Sequence, residues 1–171
     1  MKGYTHVYTG NGKGKTTASI GLIVRALGNG LKVYMGQFMK GQKYGELDTL
    51  EKLGVLVERF GTENCIISPE HITDLDIAKA KEGYKKVEAI LLSKKYDLIV
   101  LDEICVSTYF NLITKEEILH LMEIKPKETE LILTGRYAPK EVMESADLVT
   151  EMKEIKHYYD CGVMARKGIE R

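Results

Sequence analysis

Near the amino terminus, Thr9 to Thr17 reads TGNGKGKTT. Glycines at Gly10, Gly12 and Gly14 permit backbone turns closed to other residues and let successive N–H groups face one anion. Lys15 adds a point charge, Thr16 a hydroxyl where a magnesium ion is expected, and Thr17 a further hydroxyl for phosphate. With Asn11 and Lys13 between the glycines, the loop from Gly10 to Thr17 predicts a nucleoside triphosphate site, with ATP and Mg2+ as the expected ligands. The strict pattern asks for glycine where this chain has Thr9, so the motif survives in its GKTT core. A glycine-rich turn with no ligand is the bland alternative; the strand before and the helix after argue against it.

Asp97 to Glu103 reads DLIVLDE, an apolar run ending in two carboxylates, where a magnesium ligand for the phosphate loop has to arrive. It is a Walker B pattern. If the strand continues, Asp102 and Glu103 point to opposite sides and only one approaches the metal directly. The sequence leaves open which. In many ATPases the second carboxylate orients water, so hydrolysis is the first chemistry the pair suggests.

Arg136, closing ILTGR after another buried run, is a candidate ligand contact. Gln37, Lys40 and Lys43 follow a strand too, and the two lysines fit a solvated surface as well as a phosphate contact. His6, His71, His120 and His157 show no paired spacing and are assigned no chemistry. Phe38, Tyr44, Phe60, Tyr109 and Phe110 stand at or after strand ends, where they line a pocket for a large flat ligand or pack in the core.

The elements that must position these residues alternate. Strand-like runs are Thr5 to Thr9, Lys32 to Phe38, Val55 to Phe60, Asp97 to Leu101, Glu130 to Thr134 and Leu148 to Met152, most too apolar for a wet face. Between them lie helical stretches Thr16 to Leu27, Glu46 to Leu53 and Thr73 to Ser93. A capping box at Thr114 and Glu117 and a helix opened by Pro139 and running to Ala146 complete the set. The pattern predicts an α/β fold: a single domain over residues 1–171 with a mostly parallel sheet and helices on both faces. Ligands gather at the carboxyl ends of such strands, and Gly61 to Ile72 reads as a long loop over that edge.

Composition sets bounds. A chain of 171 residues is long enough to bury a core without disulfides or structural metal. Its 25 basic and 25 acidic side chains cancel, which disfavours nucleic acid as a partner. Three scattered cysteines without metal-ligand spacing fit a reducing cytoplasm, and no apolar run is long enough to span a membrane.

GNGKGKTT, QFMKG, VLDE, ILTGR and the closing stretch ADLVTEMKEIKHYYDCGVMARKGIE agree in order and spacing with one family. The chain resembles the P-loop type of ATP:corrinoid adenosyltransferase, over essentially its whole length. The resemblance implies a RecA-like P-loop NTPase domain working as a cytoplasmic homodimer, with a flavoprotein reductant as a further partner. It also implies transfer of the 5′-deoxyadenosyl group of ATP to cobalt(I) of a reduced corrinoid, with triphosphate leaving, in cobalamin biosynthesis or salvage. ATP is then held reversed, with C5′ of the ribose facing the nucleophile. Gly10 to Thr16 match the family's ATP loop, and Thr16 with Glu103 match its magnesium ligands. Lys15 and Glu103 are the expected catalytic residues, and Asp102 is expected to support the metal. Cobalt(I) is a strong nucleophile, so no general base is required. Where better-known members carry phenylalanine and tryptophan after the third strand, this chain has FGTENCIISPEH and no tryptophan.

Two other functions remain open at this point: an ATPase or kinase of the same fold, with Glu103 orienting water or a hydroxyl, and a nucleotide-binding regulator without chemistry. The KHYYDCGV block, which no general phosphate-loop requirement explains, speaks for the transferase.

Overall fold

A computed structural model describes residues 2–42, 44–64, 66 and 68–170. The candidate Lys43 and the cysteine at position 65 lie outside the described residues. Six strands form one sheet: β1 Thr5–Thr9, β2 Val33–Phe38, β3 Leu56–Phe60, β4 Leu98–Asp102, β5 Glu130–Thr134 and β6 Leu148–Glu151. Their order is β3-β2-β4-β5-β1-β6, and every pairing is parallel.

The helices are α1 Lys15–Gly28, α2 Gly45–Lys52, α3 Asp74–Ser93, α4 Ile104–Tyr109, α5 Lys115–Ile124 and α6 Lys140–Ser145. Alternate residues along the inner strands feed two cores. Leu98 and Val100 of β4 pack with Ile23 and Ala26 of α1 and Leu50 of α2. Ile99 and Leu101 face Val87 and Leu91 of α3, Ile118 and Leu121 of α5 and Val142 of α6. The helices therefore cover both faces. A constant hand of crossover requires this: α1 and α2 carry the chain toward β3, and α3 to α6 carry it back toward β6. This is a P-loop NTPase-like arrangement.

The predicted strands agree with the observed ones to within one residue at each end. Thr73 and Asp76 form a capping box at α3, and Thr114 and Glu117 form the expected one at α5. Helix α4 was not predicted; its six residues, ICVSTY, are rich in β-branched side chains and too few to show a helical period. The segment read as a loop, Gly61 to Ile72, contains a short 3-10 turn at Pro69–His71.

Register brings the chemistry to one edge. Gln37 lies opposite Asp102, Tyr8 opposite Thr134, and Leu101 opposite Leu133, so the ends of β1, β2, β4 and β5 are level. No helix among the described residues is long and apolar enough to cross a membrane.

Candidate active site

The phosphate loop leaves β1 at Thr9, whose hydroxyl accepts a hydrogen bond from the Ala138 N–H at 3.3 Å. That contact gives the residue replacing the expected glycine a local role. Gly10 and Gly14 adopt φ of 97° and 117°. Gly12 N–H donates to the Met152 carbonyl at 2.7 Å, and a Cβ on Gly10 or Gly12 would come within 2.5 or 2.7 Å of that oxygen. These glycines are required because the chain beyond β6 passes directly against the loop. Asn11 Oδ1 accepts from Glu154 N–H at 3.2 Å, a second tie to the same segment.

Lys15, 7% exposed, donates to the carbonyls of Gly10 at 2.8 Å and Gly12 at 2.7 Å. Burial lowers its pKa; Glu103 opposes this, Arg136 adds to it and Asp102 opposes it. Together with Thr16, Thr17, Glu103 and Arg136 it lines a cavity of about 350 Å3. Arg136 is exposed there and makes no hydrogen bond or ion pair with the described residues. Lys13, by contrast, donates to Tyr158 Oη at 2.8 Å and Glu170 Oε1 at 2.6 Å.

The two carboxylates are in different circumstances. Asp102, fully buried, accepts from Thr16 Oγ1 at 2.8 Å and Thr134 Oγ1 at 2.6 Å through Oδ1. Its Oδ2 accepts from Lys40 Nζ at 2.7 Å and Gln37 Nε2 at 3.3 Å. The strand does not continue past it. Glu103 turns left-handed at φ 59°, with its N–H donated to Thr134 Oγ1 at 3.1 Å. The premise that the pair straddles a continuing strand therefore fails, because β4 ends at Asp102 and the left-handed turn redirects its neighbour. The Glu103 carboxylate has no hydrogen bond or ion pair among the described residues. Burial, then Asp102, push its pKa up against Lys40, Lys15 and Arg136.

Glu103 also lines a second cavity, of about 300 Å3, with Met39, Tyr44, Ile66, Val106 and Phe110. Lys40 lines this second cavity as well, its ammonium 5.0 Å from the Tyr44 ring centroid. Other aromatics divide: Phe38 and Phe60 pack on each other in the core at 5.4 Å, while exposed Tyr109 stacks on Tyr137 at 4.3 Å. His6 and His120 pair with Glu130 and Glu88 away from the loop, and His157 lines the phosphate cavity.

The sequence reading missed the residues over the loop. Tyr158 and Glu170 bond to Lys13, Arg166 bonds to Glu170, and Ile169 and Glu170 line the phosphate cavity. The four-residue spacing of Arg166 and Glu170 was a signal for a local ion pair, but nothing in the sequence says which surface it covers. Among the described residues, no cluster of three or more His, Cys, Asp or Glu side chains is suited to hold a metal.

The family profile described as ATP:corrinoid adenosyltransferase BtuR/CobO/CobP matches residues 1–171. A corrinoid adenosyltransferase of Escherichia coli strain K12 is 34% identical over 170 residues, covering 99% of this chain and 86% of that protein. One from Sinorhizobium sp is 34% identical over 172 residues, covering 99% and 80%. Corrinoid adenosyltransferase CobA of Salmonella typhimurium is 33% identical over 170 residues, covering 99% and 86%. Matched end to end by the profile and by proteins at this identity, the chain belongs to the ATP:corrinoid adenosyltransferase family.

Proposed function

We propose that this protein transfers the 5′-deoxyadenosyl group of ATP to the cobalt(I) of a reduced corrinoid. The cobalt electron pair forms the bond to C5′, the C5′–O bond breaks, and triphosphate leaves with the electrons of that C5′–O bond. Besides family membership, one observation carries the reading. Glu103, an unpartnered carboxylate, is shared by a phosphate-loop cavity and a mainly apolar one, so a polyanion and a flat apolar ligand would meet beside it. Hydrolysis has no use for the second cavity.

In this reading Gly10, Asn11, Gly12, Gly14 and Thr17 bind the phosphates, Lys15 neutralises charge developing on the leaving triphosphate, and Arg136 adds a second cation. Thr16 and Glu103 would hold Mg2+, with Asp102 orienting the Thr16 hydroxyl. The donors are all hard oxygens, suited to an ion that keeps several waters and takes few carboxylates. Gln37 Oε1 is a buried acceptor without a partner among the described residues, and a metal-bound water would supply the donor it lacks. When bound, Mg2+ would supply charge neutralisation on the triphosphate. The aromatic and apolar side chains Tyr44, Val106 and Phe110 would meet the corrinoid.

The family resemblance supports extending the reading to a cytoplasmic homodimer of single-domain subunits that acts in adenosylcobalamin synthesis or salvage and draws electrons from a flavoprotein. Phosphorus NMR tests the reaction. With a chemically reduced corrinoid under anaerobic conditions, ATP is expected to give inorganic triphosphate and a light-sensitive adenosylated corrinoid. Formation of ADP at a catalytic rate without corrinoid would overturn the transferase in favour of an ATPase.

A further inference from the structure

The carboxyl-terminal residues lie over the phosphate loop. Glu170 Oε1 accepts from Lys13 Nζ at 2.6 Å and from Arg166 Nη2 at 3.1 Å, and also from the Tyr158 hydroxyl. Its Oε2 accepts from the Arg166 N–H at 2.7 Å and Nε at 3.3 Å. Lys13 and Arg166 have no other acid as a partner among the described residues. The Tyr158 ring lies beneath both, 5.5 Å from the lysine ammonium and 4.9 Å from the guanidinium.

The placement of this acid is odd. Glu170 lines the same cavity as Gly12, Lys15 and Thr16, and of the three carboxylates there, with Glu103 and Glu154, it is the one bonded to cations, Lys13 and Arg166. It repels any phosphate that approaches and cancels one of the two outer cations. A carboxylate so placed, bonded to both Lys13 and Arg166, makes the contacts a phosphate oxygen would make.

We propose that Glu170 is an internal stand-in for polyphosphate, and that Lys13 and Arg166 form an outer phosphate subsite which Glu170 yields when the triphosphate enters. The inference rests on the reading that the loop binds a polyphosphate. Lys13 and Arg166 are 39% and 50% exposed, so solvent screens their pairs with one carboxylate, and a ligand bearing several charges competes well for both. The backbone has room to move. Gly162 and Gly168, at φ of 82° and 78°, bracket the segment before Glu170, and nothing lies within 4 Å of a Cβ built on either.

Calorimetric titration with inorganic triphosphate, in the absence of corrinoid, separates this inference from the reaction it serves. Glu170→Gln is expected to bind triphosphate about two- to fivefold more tightly than the wild type, the size of one exposed ion pair. A chain ending at Ile169 is expected to show the same gain, and Arg166→Ala in the Glu170→Gln background to cancel it. Equal or weaker binding by both Glu170→Gln and the shortened chain would overturn the subsite while leaving the phosphate loop in place. Failure of the wild type to bind triphosphate at all would overturn the loop reading, and this inference with it.

Discussion

Thr16 Oγ1 donates to Asp102 Oδ1 at 2.8 Å, joining the first turn of α1 to the end of β4. The same carboxylate oxygen accepts from Thr134 Oγ1 at 2.6 Å, so β5 is tied in as well. The hydroxyl that would face a metal is thus oriented by the fold before any ligand arrives. Because Lys40 and Gln37 fill the other oxygen, Asp102 works as a hub of the edge rather than as a free ligand.

Lys15→Ala is expected to weaken ATP binding by about 1.5–3 kcal/mol, the worth of a hydrogen bond to a charged group. The loop itself should also loosen, since the Gly10 and Gly12 carbonyls lose their shared donor. Lys15→Arg should not rescue binding, because a planar fork cannot replace a point charge in a buried turn. Titration of each variant with Mg-ATP measures the effect; unchanged affinity in Lys15→Ala would remove the loop from the site.

Burial, with Glu103 next, pushes the Cys105 thiol up to about 12. Since the thiolate is the reactive form, Cys105 should resist iodoacetamide in the folded protein near pH 8 and react only after denaturation. Mass spectrometry of the alkylated peptides decides this. Rapid native labelling of Cys105 would contradict the packing of α4 against β5.

Burial alone would raise the Glu117 carboxyl, but the Lys81 ammonium and the Thr114 N–H outweigh it and hold the pKa below the ordinary 4.5. A depressed folded value means that the contribution is present above pH 4.5 and is lost as pH falls through the folded pKa. Glu117→Gln should therefore cost up to about 1 kcal/mol at neutral pH and nothing near pH 2, because Lys81 is partly exposed. Denaturant melts at both pH values test the sign. A cost that persists in acid would assign the effect to packing.

The sequence made the layer order and the loop legible because hydrophobic period, capping boxes and a strand-to-helix glycine run are local signals. Helix α4 lacked such a signal. The division of labour between Asp102 and Glu103 was not legible either, since it depends on Glu103 adopting φ 59° and on Gln37 of β2, Lys40 just beyond it and Thr134 of β5 converging on Asp102. Nor could local pattern reveal that Lys13 faces Glu170, 157 residues away. The motif named Lys13 as a loop residue, and only tertiary contact shows what it holds.

That division of labour yields a prediction with two separable readouts. Asp102→Asn leaves the Lys40 ammonium, 13% exposed, without its carboxylate and sets an amide against the hydroxyls of Thr16 and Thr134. Breaking a buried pair on one side costs about 3–5 kcal/mol, so this variant should lose much of its stability. Glu103→Gln removes no contact seen in the fold and relieves a half-buried, unpartnered charge. Its melting temperature should hold or rise, while its Mg2+ requirement increases and adenosyl transfer slows. Thermal melts without ligand, followed by magnesium titrations of activity, separate the two effects. Comparable loss of stability in both variants would show that Glu103 has a structural partner in solution, and unchanged magnesium dependence in Glu103→Gln would exclude it as the metal ligand.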